Sequence, residues 1–282
     1  MFLGGFFFYQ NTKLNDGKLH LVICDVGQGD GVFIRTPNGS DILVDGGPDD
    51  SILNCLSNHM PFWDRDIELM VLTHPHTDHL TGLILVMNRY KVIHYVTENV
   101  ENGTAVFKRL QAALAVQHLI AKYVLSGDRI DFPDKTEFLT IWPTSDWMKN
   151  LKLQDSKNLQ NEASSLDVNG FCLIQLFIFG NFKVLLTGDA GSLAEDKVAE
   201  EVGKVDVLKV PHHGSATGMS DYFLSQISPQ VAIISVGVNN RYGHPAKTAL
   251  DLLMSHNIKT LRTDKDGEVE IISDGESFKV FS

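Results

Sequence analysis

The stretch LTHPHTDHLTG, residues 72–82, places three histidines and one aspartate within six positions, directly after a run of apolar residues. Such a run predicts a buried strand, and alternate side chains at a strand end point to the same side, so that His74 and His76 can hold one cation. Asp78 and His79 follow at a turn and can hold a second cation close by. Imidazole and carboxylate groups are ligands that suit Zn, Mn or Fe. The stretch therefore predicts a metal site at the end of a buried strand.

The second half of the chain repeats this order of strand, turn, helix and strand. In the first half one strand ends at Asp45 in DGG, and the next ends at the histidines that begin with His74. In the second half one strand ends at Asp189 in GDAG, and the next ends at His212 and His213. Two such halves, each a sheet with helices, predict an α/β fold in which they face each other as a four-layer αββα sandwich. Loops from both halves would then meet at one edge.

The motif HxHxDH after a buried strand resembles the metallo-β-lactamase fold family. The strings LVDGG at 43–47, LLTGD at 185–189 and VPHHGS at 210–215 resemble further motifs of that family. A closer resemblance, carried by DVGQGD at 25–30, VPHHGS and NNRYGHP at 239–245, is to the ComEC-like branch and its stand-alone relatives. Full-length ComEC proteins also contain membrane spans and an oligonucleotide-binding fold, so the resemblance does not extend to a role in DNA uptake.

The resemblance implies two divalent metal ions, Zn or Mn, held by six side chains. The expected ligands are His74, His76, Asp78, His79, Asp189 and His213. The first two histidines and Asp189 would bind the first metal, and the other ligands would bind the second together with Asp189, which matches the family's bridging carboxylate. His213 is preferred over His212 because the family's histidine directly precedes a glycine. His212 would line the pocket.

The family usually supplies one more histidine to the first metal, from the segment before the strand expected at 171–179. Here that segment reads NEASS at 161–165 and contains no histidine. Asn161 and Ser164 are expected to lie beside the metals instead. The first metal would then keep an open position, which is typical of catalytic sites.

Other candidate residues have two interpretations each. Asp45 either holds the histidine loop through hydrogen bonds or forms the turn before Gly-Gly. His244 either reaches the site, as a proton donor or phosphate contact, or organises its own loop. Lys209 either neutralises phosphate or points to the far side of its strand. The turn DVGQGD either shapes the pocket floor or serves only as a tight turn. Further substrate contacts are expected from Ser215, Asn240 and Tyr242.

The implied activity is that of a metal-dependent hydrolase, most directly a phosphodiesterase or nuclease. A hydroxide held between the two metals would attack a phosphate ester of DNA, RNA or a nucleotide. Asp78 would orient this hydroxide, and His244 and His212 would assist as catalytic groups. Two alternatives stay open: hydrolysis of another ester, thioester or lactam in the same pocket, and a non-catalytic regulatory module with a degenerate site. The missing histidine is the feature that favours the regulatory module.

The composition limits the partners of the protein. The formal charge is −11 over 282 residues, with a pI of about 5.4. Proteins that hold nucleic acid through its phosphates normally display basic clusters. The acidic balance therefore argues against broad non-specific binding of nucleic acid, but it allows cleavage of a phosphate ester at a metal site. It also leaves room for a partner protein that delivers the substrate in a larger system.

The remaining features bear on organisation and location. No Pro-, Gly- or Ser-rich linker divides the chain, so a single domain over 1–282 is predicted. Residues 1–18 are expected to form a tail or edge strand, because their apolar part is too short to span a membrane. The polar residues 146–165 are expected to form a loop or lid. The odd number of cysteines, three, favours free buried thiols, a reducing compartment and a cytoplasmic location.

Overall fold

The computed structural model describes residues 10, 12–100, 102–150 and 168–282. The strands within these ranges are β1 (Leu19–Ile23), β2 (Val32–Arg35), β3 (Asp41–Val44), β4 (Asp66–Leu72), β5 (Lys91–Thr97), β6 (Ala121–Tyr123), β7 (Arg129–Asp131), β8 (Thr136–Trp142), β9 (Ile174–Phe179), β10 (Phe182–Leu186), β11 (Val207–Lys209), β12 (Val231–Ile234), β13 (Lys259–Arg262), β14 (Val269–Ser273) and β15 (Phe278–Phe281). The helices are α1 (Ser51–His59), α2 (Thr77–Met87), α3 (Ala105–Val116), α4 (Ser192–Val202), α5 (Asp221–Ile227), α6 (Lys247–Ser255) and the single turn α7 (Thr263–Asp266). Short 3-10 turns cover Val168–Phe171 and Pro211–Gly214.

The strands form two mixed sheets. The first sheet has the order β15-β14-β1-β2-β3-β4-β5-β6, and the second has the order β13-β12-β11-β10-β9-β8-β7. An apolar core between the sheets contains side chains from both, such as Leu21 and Val44 from the first and Phe177 and Val184 from the second. The predicted two-sheet α/β sandwich is thereby confirmed.

Helices cover the outer face of each sheet. Side chains of α1, α2 and α3 pack with Val22 and Phe33 on the first sheet, and side chains of α4, α5 and α6 pack with Leu185 and Leu208 on the second. The central strands are therefore buried on both faces, which explains why they read as continuous apolar runs in the sequence. Helix, sheet, sheet and helix make up the four layers.

The C-terminal strands divide between the two sheets. Strand β13 pairs with β12 at the edge of the second sheet, whereas β14 pairs with β1 and β15 in the first. The apolar pattern of these short strands indicates extended structure but does not determine which sheet each one joins. The chain thus returns to the first sheet after it has completed the second.

Two segments differ from the expected tail and loop where the structure describes them. Residues 12–14 are helical, where a tail or edge strand is predicted, and residues 145–150 are helical, where a loop or lid is predicted. The rest of those two predictions falls partly on residues 1–9 and 151–165, which lie outside the described residues. The single domain over 1–282 stays a prediction.

A disulfide bond joins Cys24 to Cys55 across a Cα–Cα distance of 5.8 Å. This contradicts the prediction of three free thiols. Cys24 follows β1 and Cys55 lies on α1, and the two side chains meet in the core between the first sheet and its helices. Their proximity depends on helix packing, which sequence spacing does not reveal. Cys172 is free and buried, as predicted.

The disulfide also removes the basis on which a reducing compartment was predicted, because such bonds persist mainly in oxidising environments. Of the residues that the structure describes, none belongs to a helix that is both long and apolar enough to cross a membrane.

Parallel pairing brings the loops of interest to one edge of the sandwich. Strands β3 and β4 are parallel neighbours in the first sheet, and β10, β11 and β12 are parallel neighbours in the second. Their carboxyl ends lead into the DGG turn, the histidine stretch, the TGD turn, the PHHG turn and the segment after β12. Helix α2 packs tightly beneath this edge, since a Cβ atom at Gly82 would collide with the carbonyl oxygen of Gly46.

Candidate metal centre

Two groups of potential ligand atoms lie side by side at this edge. In the first group, one ligand atom from each of His74, His76 and Asp189 lies within 4.8 Å of the others. In the second group, the same holds for Asp78, His79, Asp189 and His213. Asp189 belongs to both groups. The histidines at 74–79 follow the first sheet, whereas Asp189 and His213 follow strands of the second, so each group contains side chains from both halves.

The local backbone directs these side chains inward. Asp78 and His79 occupy the first turn of α2, where His76 is the N-cap residue. His212 and His213 both have left-handed backbone angles, with φ of 47° and 55°, a region that non-glycine residues rarely occupy. The turn buries His213 and leaves about a third of the side chain of His212 exposed.

Hydrogen bonds fix which nitrogen of two histidines faces the centre. His79 donates from Nδ1 to Oδ2 of Asp45 at 2.7 Å, and His213 donates from Nδ1 to the carbonyl oxygen of Ser235 at 2.9 Å. The Nε2 atoms are therefore left to face the centre. Buried Asp45 also accepts hydrogen bonds from the backbone nitrogen and the hydroxyl of Thr73, at 2.8 and 2.6 Å. Asp45 thus connects the start of the histidine stretch to its end.

Several inward-facing atoms have no hydrogen-bond partner in the described part of the chain. These atoms are Nε2 of His79, Nε2 of His213 and Oδ1 of Asp189, all of them buried. A buried polar atom without a partner costs about 1–3 kcal/mol, so unsatisfied atoms of this kind are rare. Three of them within one donor group fit a bound cation, because a cation would satisfy all three at once. The donor atoms of these residues are therefore chemically suited to bind a metal ion.

The charges of the centre point to the same conclusion. Burial alone would raise the pKa of Asp189, but His213 and His79 hold it well below its usual range. Burial would likewise raise the pKa of Asp78, yet the imidazole of His213, at 3.8 Å, and the charge of His79 lower it. Burial lowers the pKa of His74 well below the ordinary value, and the neighbouring His79 adds to the effect. Ionised carboxylates and neutral imidazoles are the forms that bind metals. Nearby carboxylates raise the pKa of both His79 and His213 against the effect of their burial, so a metal would have to displace a proton from each of these rings.

Lys209 lies beneath the centre rather than in it. Its side chain is 1% exposed, forms an ion pair with Asp30 and donates a hydrogen bond to the carbonyl oxygen of Gly188 at 2.9 Å. The alternation of strand β11 directs it between the two sheets. The predicted contact of Lys209 with substrate is therefore wrong for this structure, and its ammonium group instead supports the residue that precedes Asp189.

Cys172 was not anticipated as part of this region. Its sulfur accepts a hydrogen bond from the backbone nitrogen of Asp189 at 3.1 Å and lies 3.5 Å from Nδ1 of His74. A Cβ atom at Gly188 would collide with this sulfur. A cysteine within the apolar run FCLI gives no sequence signal for such a role, since its neighbours come from distant segments.

An open cleft of about 370 Å³ leads from the surface to both donor groups. It is lined by Gln28, His76, Thr77, Asp78, Asp189, His212, His213, Arg241, Tyr242 and His244. Thr77 and Arg241 are not among the predicted site residues, whereas Gln28 belongs to the turn DVGQGD, for which the pocket floor is one of the two interpretations. Arg241 lies within the motif NNRYGHP and next to a predicted contact, so the motif held a signal for it.

Two predicted substrate contacts lie elsewhere. Ser215 is buried outside the lining of the cleft. The amide of Asn240 donates to the carbonyl oxygens of Gly237 and His244 and accepts from the backbone nitrogens of Tyr242 and His244. Because all of these bonds are internal to its loop, Asn240 organises the loop and does not offer its amide to the cleft. Asn161 and Ser164 lie outside the described residues.

His244 is placed between the metal-facing histidines and the cleft mouth. Its ring centre lies 5.8 Å from that of His212 and 6.5 Å from that of His213. Its Nδ1 atom is buried without a hydrogen-bond partner in the described chain. Burial and the two neighbouring histidines lower the pKa of His244. The ring is therefore neutral near pH 7.

Comparisons with known proteins agree with this architecture. The sequence model of the metallo-beta-lactamase superfamily matches residues 24–238. ComE operon protein 3 of Bacillus subtilis (strain 168) is 27% identical over 278 residues, which cover 91% of this chain and 33% of that protein. Recombination protein 2 of Haemophilus influenzae is 29% identical over 253 residues, which cover 88% of this chain and 28% of that protein. This chain thus spans about a third of the length of these relatives.

Among solved structures, zinc-bound PqqB from Methylobacterium extorquens is similar in fold. It aligns with a TM-score of 0.58 at 11% sequence identity and covers 86% of this chain and 97% of its own. At that identity the similarity concerns the fold alone.

Proposed function

This chain belongs to the metallo-beta-lactamase superfamily, and on that premise we propose that it is a two-metal hydrolase that cleaves phosphodiesters of DNA, RNA or nucleotides. The observation that carries the proposal is the position of Asp189, whose carboxylate belongs to both donor groups. A carboxylate shared by two groups can bridge two cations. Paired divalent cations polarise a phosphoryl oxygen and lower the pKa of water, which is the chemistry that phosphodiester hydrolysis requires.

The ligands divide between the two positions according to the donor groups. His74, His76 and Asp189 would hold the first metal. Asp78, His79, Asp189 and His213 would hold the second. The first position has three protein donors among the described residues, which leaves room for a substrate oxygen. Zn and Mn both suit this mixture of imidazole and carboxylate groups.

Three side chains in the cleft have roles beyond metal binding in this proposal. Asp78 is partly exposed and carries a carboxylate with a lowered pKa, so it can accept a hydrogen bond from an attacking water and orient it. His244 lines the cleft beside His212, and the N–H of its neutral ring can donate a hydrogen bond to the leaving oxygen. His212 faces the cleft beside it and can contact a phosphoryl oxygen.

The choice of phosphodiesters over other esters rests on the relatives. One relative is named a recombination protein, and the other belongs by name to the ComE operon. The motifs DVGQGD, VPHHGS and NNRYGHP also resemble the ComEC-like branch. This support concerns the substrate class and does not extend to a particular nucleic acid.

The test begins with protein purified without chelator. We expect metal analysis to find close to two equivalents after loading with Zn or Mn, and we expect hydrolysis of bis-p-nitrophenyl phosphate. Asp78→Ala should lower kcat by at least about 100-fold, since it removes a ligand and the residue that orients water. Asp66→Ala is the matched control, because Asp66 is an exposed aspartate at the opposite end of the strand that leads to the centre.

Two results would contradict the proposal. A metal content near zero after loading would rule out a metal-dependent enzyme. Hydrolysis of p-nitrophenyl acetate or nitrocefin, with no activity on any phosphodiester, would favour a hydrolase of carboxylic esters or lactams in the same cleft.

A further inference from the structure

The loop at residues 237–245, which we call the rim loop, borders the mouth of the cleft and is held in one conformation by its own contacts. The amide of Asn240 makes four hydrogen bonds within it. A Cβ atom at Gly214 would lie 2.7 Å from Cβ of Pro245, so the end of the loop packs directly on the PHHG turn. The backbone nitrogen of Gly237 donates to the side chain of Gln28. The rim loop is therefore preorganised beside the metal-facing residues.

This loop presents an aromatic ring and a guanidinium group to solvent at the cleft. Tyr242 is 55% exposed although its ring is large and mostly apolar. The guanidinium carbon of Arg241 lies 5.1 Å from the centre of that ring, and Arg241 donates to the Tyr242 hydroxyl at 2.9 Å. The ring of His244 is nearly parallel to that of Tyr242, with an angle of 14° and centres 6.0 Å apart. Packing in the core explains none of these placements.

The cleft otherwise lacks positive side chains. Arg241 is the one lysine or arginine among the described residues that line it, and Lys209 is buried in its ion pair with Asp30. The whole chain is acidic, with a formal charge of −11. A groove that follows a phosphate backbone by charge is therefore absent from the described surface of the cleft, and base stacking at the rim is the contact that does not depend on the metals.

Stacking on an exposed aromatic ring requires a base with a free face. Proteins that bind single strands use aromatic side chains in this way, and the contact tolerates any base. In a duplex both faces of each base are already covered by the neighbouring base pairs. A platform of this kind thus selects unpaired nucleotides without reading their sequence.

We propose that Arg241 and Tyr242 form a base-stacking platform that makes single-stranded nucleic acid the substrate of this centre. The proposal rests on the phosphodiesterase function proposed above. One ring, that of His244, separates Tyr242 from His213, so a phosphate held at the centre has the base of an adjoining nucleotide at the rim. Arg241 holds the tyrosine ring in place and contributes one positive charge to the neighbouring phosphate.

The test compares binding and cleavage of a dye-labelled twelve-nucleotide oligothymidylate with those of an abasic strand of equal length. Binding is measured by fluorescence anisotropy in the presence of EDTA, where no metal-dependent cleavage occurs, and cleavage is measured with Mn²⁺. In Tyr242→Ala we expect the Kd and the KM for oligothymidylate to rise about 5- to 100-fold, whereas Tyr242→Trp should keep both within about threefold of the wild-type values.

The abasic strand sharpens the comparison. The wild-type protein should bind it as weakly as Tyr242→Ala binds oligothymidylate, and Tyr242→Ala should no longer distinguish the two strands. Tyr222→Ala is the matched control, because Tyr222 is also an exposed tyrosine but pairs with Glu200 on the helical side of the second sheet. The dependence of log Kd on log salt should be shallow, with a slope of magnitude about 0.7 that approaches zero in Arg241→Ala.

The outcomes separate the two proposals. If the protein binds oligothymidylate through Tyr242 but cleaves no strand with Zn²⁺ or Mn²⁺, the stacking platform stands and the phosphodiesterase function fails. If the protein cleaves single strands and Tyr242→Ala leaves the Kd and KM unchanged, the platform is overturned. Equal or better cleavage of a duplex of the same length would overturn it as well.

Discussion

Asp45 accepts a hydrogen bond from Nδ1 of His79 at 2.7 Å, and the opposite nitrogen of the same ring lies 3.4 Å from the carboxylate of Asp189. One buried carboxylate thereby decides which nitrogen of His79 faces the candidate metal centre. The consequence can be measured without any substrate.

Asp45→Asn should weaken metal binding by about 10- to 100-fold, the range found when a residue that orients a metal ligand is replaced. The amide keeps the size of the side chain but offers one oxygen in place of two, so it cannot accept from both Thr73 and His79 in the same way. Titration with Zn²⁺ against a competing chelator measures the affinity. Asp50→Asn is the control, since Asp50 is exposed and makes no side-chain cap to its helix. Equal affinities in the two variants would contradict the role of Asp45.

The shared position of Asp189 predicts unequal effects of ligand substitutions on metal content. Asp189→Ala should lower occupancy at both positions, because its carboxylate is common to both donor groups. His76→Ala should lower it at the first position only and leave about one equivalent bound. Mass spectrometry of metals in dialysed, correctly folded protein gives the stoichiometry. A loss of both metals in His76→Ala, with circular dichroism unchanged, would show that the two positions fill together.

The disulfide between Cys24 and Cys55 predicts a stability that depends on reductant. The bond closes a loop of 31 residues, for which chain entropy gives about 3–4 kcal/mol. Urea unfolding with and without a phosphine reductant should differ by a large part of that amount, and Cys24→Ala/Cys55→Ala should behave like the reduced protein. Thiol titration in denaturant should find one reactive cysteine per chain, Cys172. Three reactive thiols would contradict the bond.

A network of histidines and glutamates that joins helix α1 to strands β1 and β14 predicts a pH dependence of stability. Burial opposes protonation of His59, but a hydrogen bond with Glu268 and the carboxylate of Glu270, at 3.6 Å, raise its pKa to about 9. Because the pKa is raised on folding, the stabilisation is complete below the ordinary value of 6.5 and is lost as the pH rises through about 9. His20 shares Glu270, and its pKa is raised too.

The pKa of the carboxylate in this network shifts in the opposite direction. Glu270 has a lowered pKa, since the hydrogen bond with His20 and the nearby imidazole of His59 outweigh its burial. The stabilisation that Glu270 contributes to the fold is present above pH 4.5, its ordinary pKa, and is lost only in acid. The melting temperature should therefore decline between pH 6.5 and 9, and this decline should be smaller in His59→Gln. Parallel pH profiles for the two proteins would be evidence against the network.

Glu98 offers a second pH effect in the region behind the histidine stretch. Burial raises its pKa to about 8, although a hydrogen bond from Thr97 acts in the opposite direction. The folded protein keeps this proton when the unfolded chain has released it, so stability falls as the pH rises from 4.5 to 8. Glu98→Gln removes the cost of ionisation and should raise the melting temperature at pH 9 more than at pH 5. Equal shifts at both pH values would contradict the assignment.

The fold could be predicted because its signals are local. Runs such as residues 67–72 have the continuous apolar character of strands that are buried on both faces, and the loops that carry Asp45 and Asp189 follow such strands in both halves. Parallel strands place their carboxyl ends at one edge, which is why residues far apart in the sequence lie close together at the candidate centre. The ligand assignment itself stays a prediction until metal is measured.

Features that depend on packing direction could not be predicted. Whether Lys209 faces the cleft or the core depends on the phase of a three-residue strand, and its pairing with Asp30 requires the two sheets to be brought together. The contact between Cys172 and His74, and the bond between Cys24 and Cys55, likewise require the tertiary structure. Arg241 differs from these cases, because it lies within the motif NNRYGHP beside Tyr242 and its place at the cleft needs no tertiary information beyond that of its neighbour.

The division of the ligands between the two sheets has a consequence for how the protein acquires metal during its synthesis. Both donor groups require Asp189, and one of them also requires His213. The histidines at 74–79 leave the ribosome well before either residue has been translated. The emerging first half therefore contains imidazoles but no complete donor group. If the proposed centre binds metal, we expect full coordination only after His213 has been translated.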